Sequence, residues 1–389
     1  TVQGTRRQGF GSRKILMISQ ETLYETAIAL VFKYTPANAL ELWRRAGSAT
    51  AVWENRKDIR AVVPEASPKL AETVGKLDEF LPLAEREMEF AQAKGIQCLG
   101  FGDSDYPARL KGCNDAPLVL FYKGNANLNS RRIISVVGTR HCTEYGREIC
   151  TSLTRDLSAL APDTVVVSGL AYGIDINAHR GALAAGLPTV AVLAHGLDSI
   201  YPAMHRTTAI KMLENGGLIT EFPTRTVPEK QNFVRRNRII AGLSDATIVV
   251  ESASKGGSLI TASVAESYDR EVCAFPGRTG DVWSEGCNML IMENKARMIT
   301  SAESLVKALC WDCDANPSAI KPAEPELFPQ LSNEEQKIVD ALEGSDGKQI
   351  NLITVETNIP MARLMSVLFE MEMRGIVKSL NGARYKLNR

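Results

Sequence analysis

Four short segments concentrate the residue types that hold an anion or a flat base. Val137-Gly138-Thr139-Arg140 joins a sharply turning backbone to a hydroxyl and a guanidinium. Ser168-Gly169-Leu170-Ala171-Tyr172-Gly173-Ile174-Asp175 sets two glycines just before a helix start, an arrangement that aims backbone N–H groups at a phosphate. Between residues 225 and 240, Arg225, Lys230, Arg235, Arg236 and Arg238 stand against Glu229, five charges less one, or +4. Phe233 and Asn237 lie among them. Cations that follow a sugar–phosphate backbone, with a ring to stack a base, are the composition of a single-strand site. Ile239, Ile240 and Leu243 take the buried side of that segment, so its arginines are expected to face outward. Ser254-Lys255-Gly256-Gly257-Ser258 is the fourth segment, a cation and two hydroxyls on another glycine turn.

Other chemistries find less support. The fingerprint G-x-G-x-x-G is absent from both of the first two turns, which argues against NAD or FAD. The four histidines, His141, His179, His195 and His205, fall in no triad spacing. Asp175 and Glu221 are possible acids, and Asp175 is expected to cap its helix. Cys310-Trp311-Asp312-Cys313 is the one C-x-x-C, and the nearest histidine is His205. A zinc site usually needs a second pair or nearby histidines, so neither metal nor cofactor is expected.

A particular frame must bring these segments together. Strands are predicted at Ile133–Val137, Thr164–Ser168, Thr189–Leu193, Gly217–Thr220, Ala246–Val250 and Glu271–Phe275, short and rich in β-branched residues. Helical stretches separate most of them. Strand alternating with helix means a doubly wound, mostly parallel α/β sheet, whose ligands bind beyond the carboxyl ends of the strands. All four segments follow strands or abut them, so one edge of one sheet would carry them all.

The flanks differ. Residues 1–19 form a basic tail expected to be disordered, and 20–95 read as a helical domain. Its apolar residues recur at helical spacing, with Gly47 and Gly95 as stops. The core spans 96–311. Residues 312–330 hold Pro317, Pro322, Pro325 and Pro329, a linker. Over 331–389, two helices precede a hairpin with an Asn381-Gly382 turn, which predicts a winged helix-turn-helix.

Composition excludes little but is consistent. The 389 residues are 44% hydrophobic and 23% charged, ordinary for a globular protein. Lys+Arg and Asp+Glu both number 45, so net charge names no partner. No apolar run reaches the ~18 residues of a membrane span, and no secretory signal follows the basic start. Eight scattered cysteines fit reduced thiols, hence a cytoplasmic, non-secreted chain.

At these residues the chain resembles the DprA family of DNA processing proteins, also called Smf. The resemblance rests on Val-Val-Gly-Thr-Arg140, Ser-Gly-Leu-Ala-Tyr-Gly-Ile-Asp175, Arg-Asn-Arg-Ile-Ile-Ala-Gly-Leu-Ser-Asp245 and Lys-Gly-Gly-Ser258. Tyr201-Pro202, Glu221-Phe222-Pro223, Phe275-Pro276-Gly277 and Gly286-Cys287-Asn288 add to it, and it spans about 96–309. It implies an extended Rossmann-like core that binds single-stranded DNA, a homodimer, and loading of the RecA recombinase during natural transformation. By the same resemblance Arg140, Lys230 and Phe233 take the family's DNA-contacting positions. The N-terminal region is similar to a sterile alpha motif or helix-hairpin-helix domain. Its Tyr34-Thr35-Pro36 lacks the glycines with which a helix-hairpin-helix holds phosphate.

Two rival readings remain. The related nucleotide phosphoribohydrolases of the lysine-decarboxylase-like group carry Pro-Gly-Gly-x-Gly-Thr-x-Glu-Glu. Here Ala262 and Ser263 stand where the glutamates would, so the acid/base of a glycosidase is missing and no enzyme is expected. The third reading makes the chain a transcription regulator through its C-terminal module.

Overall fold

The computed structural model describes residues 19–311, 331–345, 347–380 and 384–387. The tail expected over 1–19, Ser19 apart, the 312–330 linker, Cys313 and the Asn381-Gly382 turn lie outside the described residues. The chain divides into two compact units between residues 315 and 316.

Helices open the first unit: α1 (Gln20–Val31), α2 (Pro36–Ala46), α3 (Ala49–Glu54), α4 (Pro68–Gly75) and α5 (Leu77–Lys94). Ser19, Ser48 and Ser67 cap α1, α3 and α4, each accepting from a backbone N–H three residues on. Gly47 and Gly95 end α2 and α5 in the left-handed conformation, as their positions predicted.

The sheet follows in chain order: β1 (Gln97–Gly100), α6 (Ala108–Lys111), β2 (Val119–Gly124), β3 (Arg132–Val137), α7 (Glu144–Leu160), β4 (Thr164–Ser168), α8 (Ile174–Ala184), β5 (Thr189–Val192), α9 (Arg206–Met212), β6 (Gly216–Thr220), α10 (Lys230–Gly242), β7 (Ala246–Val249), α11 (Gly257–Ser267), β8 (Glu271–Ala274), α12 (Glu285–Met292), β9 (Arg297–Met298) and α13 (Ala302–Ala308). Its nine strands run β1-β2-β6-β5-β4-β3-β7-β8-β9. From β6 to β9 every pairing is parallel, whereas β1 and β2 pair antiparallel at one edge. All six predicted strands are present, and β1, β2 and β9 extend the sheet beyond them. Strand β3 leads to β4 on one side and β7 leads to β8 on the other, so a crevice opens between the carboxyl ends of β3 and β7.

The helices of 20–94 share their core with the sheet. Ile28, Leu40 and Leu42 belong to the same buried cluster as Leu99, Leu118, Leu120, Ile239 and Ile240. A carboxylate is trapped in that junction. Glu25 of α1 is buried and accepts from Gly102 N–H at 3.1 Å. A Cβ on Gly100 would stand 2.0 Å from Glu25 Oε2, so any larger residue there would displace the carboxylate. Burial pushes the Glu25 carboxyl up to about 8, against the Gly102 hydrogen bond.

The second unit holds α14 (Asn333–Leu342), β10 (Lys348–Gln349), α15 (Ile350–Thr357), α16 (Met361–Met373), β11 (Val377–Leu380) and β12 (Arg384–Leu387). Ser332 and Glu335 form a capping box on α14. Ile338, Leu342, Ile353, Leu364, Leu368 and Met371 make its core. The hairpin β11–β12 gains β10 as a third strand. This is the predicted winged helix. Among the described residues no single helix is long and apolar enough to cross a membrane.

Candidate nucleic-acid interface

The edge at the carboxyl ends of β3, β4 and β7 is rigidly interlocked. Thr139 donates its N–H to Glu251 O at 2.7 Å and accepts from Ile174 N–H at 3.1 Å. Gly138 must be glycine, since a Cβ would lie 2.4 Å from Ile174. Gly173 has φ +76, and a Cβ there would reach Thr139 O at 2.1 Å. Glu251, at the end of β7, is buried and takes both the N–H and the hydroxyl of Thr143, the cap of α7. This clamp leaves Arg140 as the exposed residue at the tip of β3.

Arg140 reaches across to α10. Its guanidinium sits 5.2 Å from the centre of the Phe233 ring. That ring is half-buried, and the Tyr201 ring lies 5.8 Å from it, tilted by 55°. Lys230 is exposed one turn before Phe233, on the same helical face. Arg140, distant in sequence from α10, is thus a cation over the Phe233 ring, and Lys230 lies on the same helix one turn before that ring. Tyr172, in the loop between β4 and α8, and Tyr201, in the loop after β5, are 42% and 45% exposed and were not singled out from the sequence as ring platforms. A tyrosine inside a glycine turn and one before proline were the available signals.

The expectation that the arginine face of α10 points outward is corrected at three positions. Arg236 is buried, and its Nη1 donates to Gly169 O at 2.7 Å and to Val192 O. Burial pushes its guanidinium down to about 10, with Asp175 opposing the shift. Arg238 is buried too, donating to the Glu221 carboxylate and to Asp115 O. Arg235 donates to Lys33 O at the end of α1 and lies over the rings of Tyr34 and Phe222, at 5.3 and 5.5 Å. These three guanidiniums meet carbonyls and carboxylates that sequence spacing does not reveal. Asn237 is half-buried, with Oδ1 accepting from Arg236 Nε at 3.3 Å.

The second glycine turn is corrected as well. The Ser168 hydroxyl is buried and donates to Val136 O at 2.6 Å. Gly169 N–H donates to Asp175 Oδ2 at 3.2 Å, so it is not free for a phosphate. A Cβ at Gly169 would meet the Arg236 guanidinium at 2.5 Å; the glycine makes room for that arginine. Asp175 does not occupy the cap position of α8, which Gly173 holds; it sits in the first turn and reaches back to the loop. Burial raises its carboxyl, and the nearby Arg236 guanidinium opposes this.

The fourth segment is part framework, part open surface. Gly256 lies against Ser252, whose hydroxyl a Cβ would meet at 2.3 Å, and Ser258 is buried, donating to Ser252 Oγ at 2.8 Å. Gly257 has open space around it and Lys255 is exposed. Arg140, Lys230 and Lys255 are therefore candidate cations that face solvent, as does Arg225 in the loop before α10.

Three of the four histidines are hydrogen-bonded into the framework. His179 is buried against the Thr189 hydroxyl at 2.7 Å, and burial pushes it down to about 3. His205 bonds Leu170 O at 2.8 Å, holding that residue at φ 57. His195 Nε2 accepts from Tyr201 N–H at 3.2 Å. Among the described residues no cluster of His, Cys, Asp or Glu is suited to a metal.

In the winged helix the cations of α16 are engaged: Arg363 pairs with Glu334 at 2.9 Å and Arg374 with Glu335 at 2.5 Å. Its outward face shows Met365 and Phe369, 56% and 64% exposed.

Comparison with known proteins agrees with this architecture. Residues 97–310 match the family model of DNA recombination-mediator protein A, and residues 321–383 match that of the DprA winged helix domain. The chain is similar to DNA processing protein DprA of Bacillus subtilis, 38% identical over 242 residues, covering 62% of this chain and 80% of that one. It is 34% identical to protein Smf of Escherichia coli over 298 residues, 73% of this chain and 75% of that one. Among solved structures, DprA of Streptococcus pneumoniae aligns with a TM-score of 0.62 at 31% identity, over 73% of this chain and 97% of that chain. DNA processing protein A of Helicobacter pylori, described in a single-stranded DNA binding mode, aligns with a TM-score of 0.50 at 28% identity, over 56% of this chain and 96% of that chain.

Proposed function

This chain belongs to the DNA recombination-mediator protein A family, and from that premise we propose that it binds single-stranded DNA without sequence preference along the carboxyl edge of its sheet. The observation that carries the reading is the exposed Arg140 guanidinium over the Phe233 ring, with Lys230 one turn away. Cation and ring are the pair a flexible strand needs, one for its phosphate and one for its base. The Gly257 turn, with Lys255 beside it, takes a further phosphate where no side chain blocks the approach. The described single-strand mode of the Helicobacter pylori relative supports the same reading.

The reading extends to role and partners. A protein that holds a single strand without reading its sequence is suited to protect incoming DNA and hand it to RecA in natural transformation. We assign it that mediator role, as a homodimer acting in the cytoplasm rather than as an enzyme. Seven free cysteines among the described residues suit a reducing compartment. At the edge, the Glu251 and Asp175 carboxylates are taken up by Thr143 and Gly169, which supports binding over acid–base chemistry. The test is RecA nucleation on single strands precoated with single-strand binding protein. Addition of this protein should shorten the lag, and Arg140→Ala should lose the effect. A lag unchanged by the unmodified protein contradicts the mediator role.

A further inference from the structure

At the crevice between β3 and β7, a second aromatic pair stands at the same edge as Phe233. His141 directly follows Arg140, and its ring stacks on Trp283 with centroids 5.1 Å apart and planes 22° apart. His141 is exposed and Trp283 half-buried. Neither ring has an evident framework duty. Trp283 belongs to none of the apolar clusters among the described residues. The backbone N–H of His141 bonds Thr139 Oγ1 at 3.1 Å, which fixes the turn rather than the ring.

The loop that carries Trp283 is held firmly in place. Ser252 N–H donates to Trp283 O at 2.6 Å, and Gly286 N–H donates to Ser252 O at 2.9 Å, tying the loop to the end of β7. At its start the Tyr145 hydroxyl donates to Pro276 O at 2.6 Å, and Asn288 bonds both backbone groups of Gly277 at 3.1 Å. One ring is thus fixed to the tip of β3 and the other to the end of β7, the two strands that flank the crevice.

We propose that His141 and Trp283 form a second stacking step for single-stranded DNA, receiving the bases that follow those on Phe233. The inference rests on the single-strand reading above and adds the strand's course: from α10, past Arg140, over the crevice to the loop after β8. Arg140 lies between the two aromatic steps, and exposed Arg278 lies on the loop with Trp283. The neighbours of Trp283 also include exposed Asp281 and Glu285. Those carboxylates disfavour a phosphate at the indole, so the contact there is with a base. Base–aromatic stacking is sequence-tolerant because every base has a flat π face.

The test uses the full chain and thymidine oligonucleotides of about 4 and about 12 nucleotides. Trp283→Ala should weaken binding of the longer strand about 5- to 30-fold, the lower part of the range for a lost stacking contact. It should change binding of the shorter strand less than about threefold and leave the salt dependence unchanged, since no phosphate contact is lost. Trp283→Phe should restore most of the affinity while abolishing the quenching of tryptophan fluorescence by the longer strand. If the unmodified protein binds the longer strand and Trp283→Ala binds it equally well, the second step is overturned and the single-strand reading stands. Quenching that persists in Trp283→Phe also overturns it. If the unmodified protein binds neither strand, both readings fall.

Discussion

Glutamine in place of Glu25 should stabilise the protein in alkaline solution and change little near pH 5. Burial in the α1–β1 junction raises the Glu25 carboxyl from an ordinary 4.5 to about 8. Glu21 and Asp103 push in the same direction, while Gly102 N–H and Lys111 oppose it. In the folded state Glu25 therefore keeps its proton through neutral pH, whereas in the unfolded chain it has lost it. Stability is fully present below the unfolded value and falls as pH rises toward the folded one. The slope is about 1.4 kcal/mol per pH unit, so from about pH 5 to about pH 8 the ceiling is roughly 4 kcal/mol. Structural relaxation and water entry lower that ceiling, and a net effect above about 1 kcal/mol is expected. Glutamine keeps the acceptor for Gly102 and carries no charge. Urea unfolding of both proteins at about pH 5 and about pH 9 measures the difference directly. A stability gap that is the same at both pH values, or a wild type more stable at about pH 9, refutes the buried-acid argument.

Arg140→Ala and Lys230→Ala should each weaken single-strand binding by about tenfold or less with unfolding midpoints unchanged, as both side chains are exposed. Phe233→Ala should cost about 1–3 kcal/mol of binding, seen by titration, while circular dichroism reports a folded protein. Arg236→Leu should instead lower the unfolding midpoint, because it leaves the buried Gly169 and Val192 carbonyls without their donor, a loss of about 1–3 kcal/mol. Removing residues 312–389 should leave single-strand affinity within about threefold, a change below about 1 kcal/mol. Residues 331–389 carry eight cations and eight anions, and the arginines of α16 are already paired.

The parallel strands were legible because short runs such as Thr164–Ser168 are β-branched and bounded by glycine, a pattern that strands covered on both faces require. The strands at the two edges of the sheet were harder to see. Gln97–Gly100 is four residues long and β9 only two, too short for any period to show. Val119–Gly124 is apolar at first and then polar, without alternation. At the candidate site, Arg140, Lys230 and Phe233 stood out by residue type, and each lies on a turn or in the first turn of a helix beyond a strand's carboxyl end. The inward arginines could not. Whether Arg236 faces a phosphate or the carbonyls of Gly169 and Val192 depends on contacts 67 and 44 residues away. Likewise the glycine at 169 looked like a phosphate turn, and its reason proved to be the guanidinium packed against it. Charge composition alone therefore overstated the outward potential of α10.

That correction sets the most direct test of the central claim, a titration with single- and double-stranded oligonucleotides of one sequence at two salt concentrations. Of the solvent-facing cations, the three assigned to the strand, Arg140, Lys230 and Lys255, imply about three phosphates neutralised. At about −0.7 per phosphate, single-strand affinity should fall roughly 20-fold between about 50 and about 200 mM salt, and the single strand should bind more tightly than the duplex at both. Equal or tighter binding of the duplex, or an affinity indifferent to salt, would contradict the account.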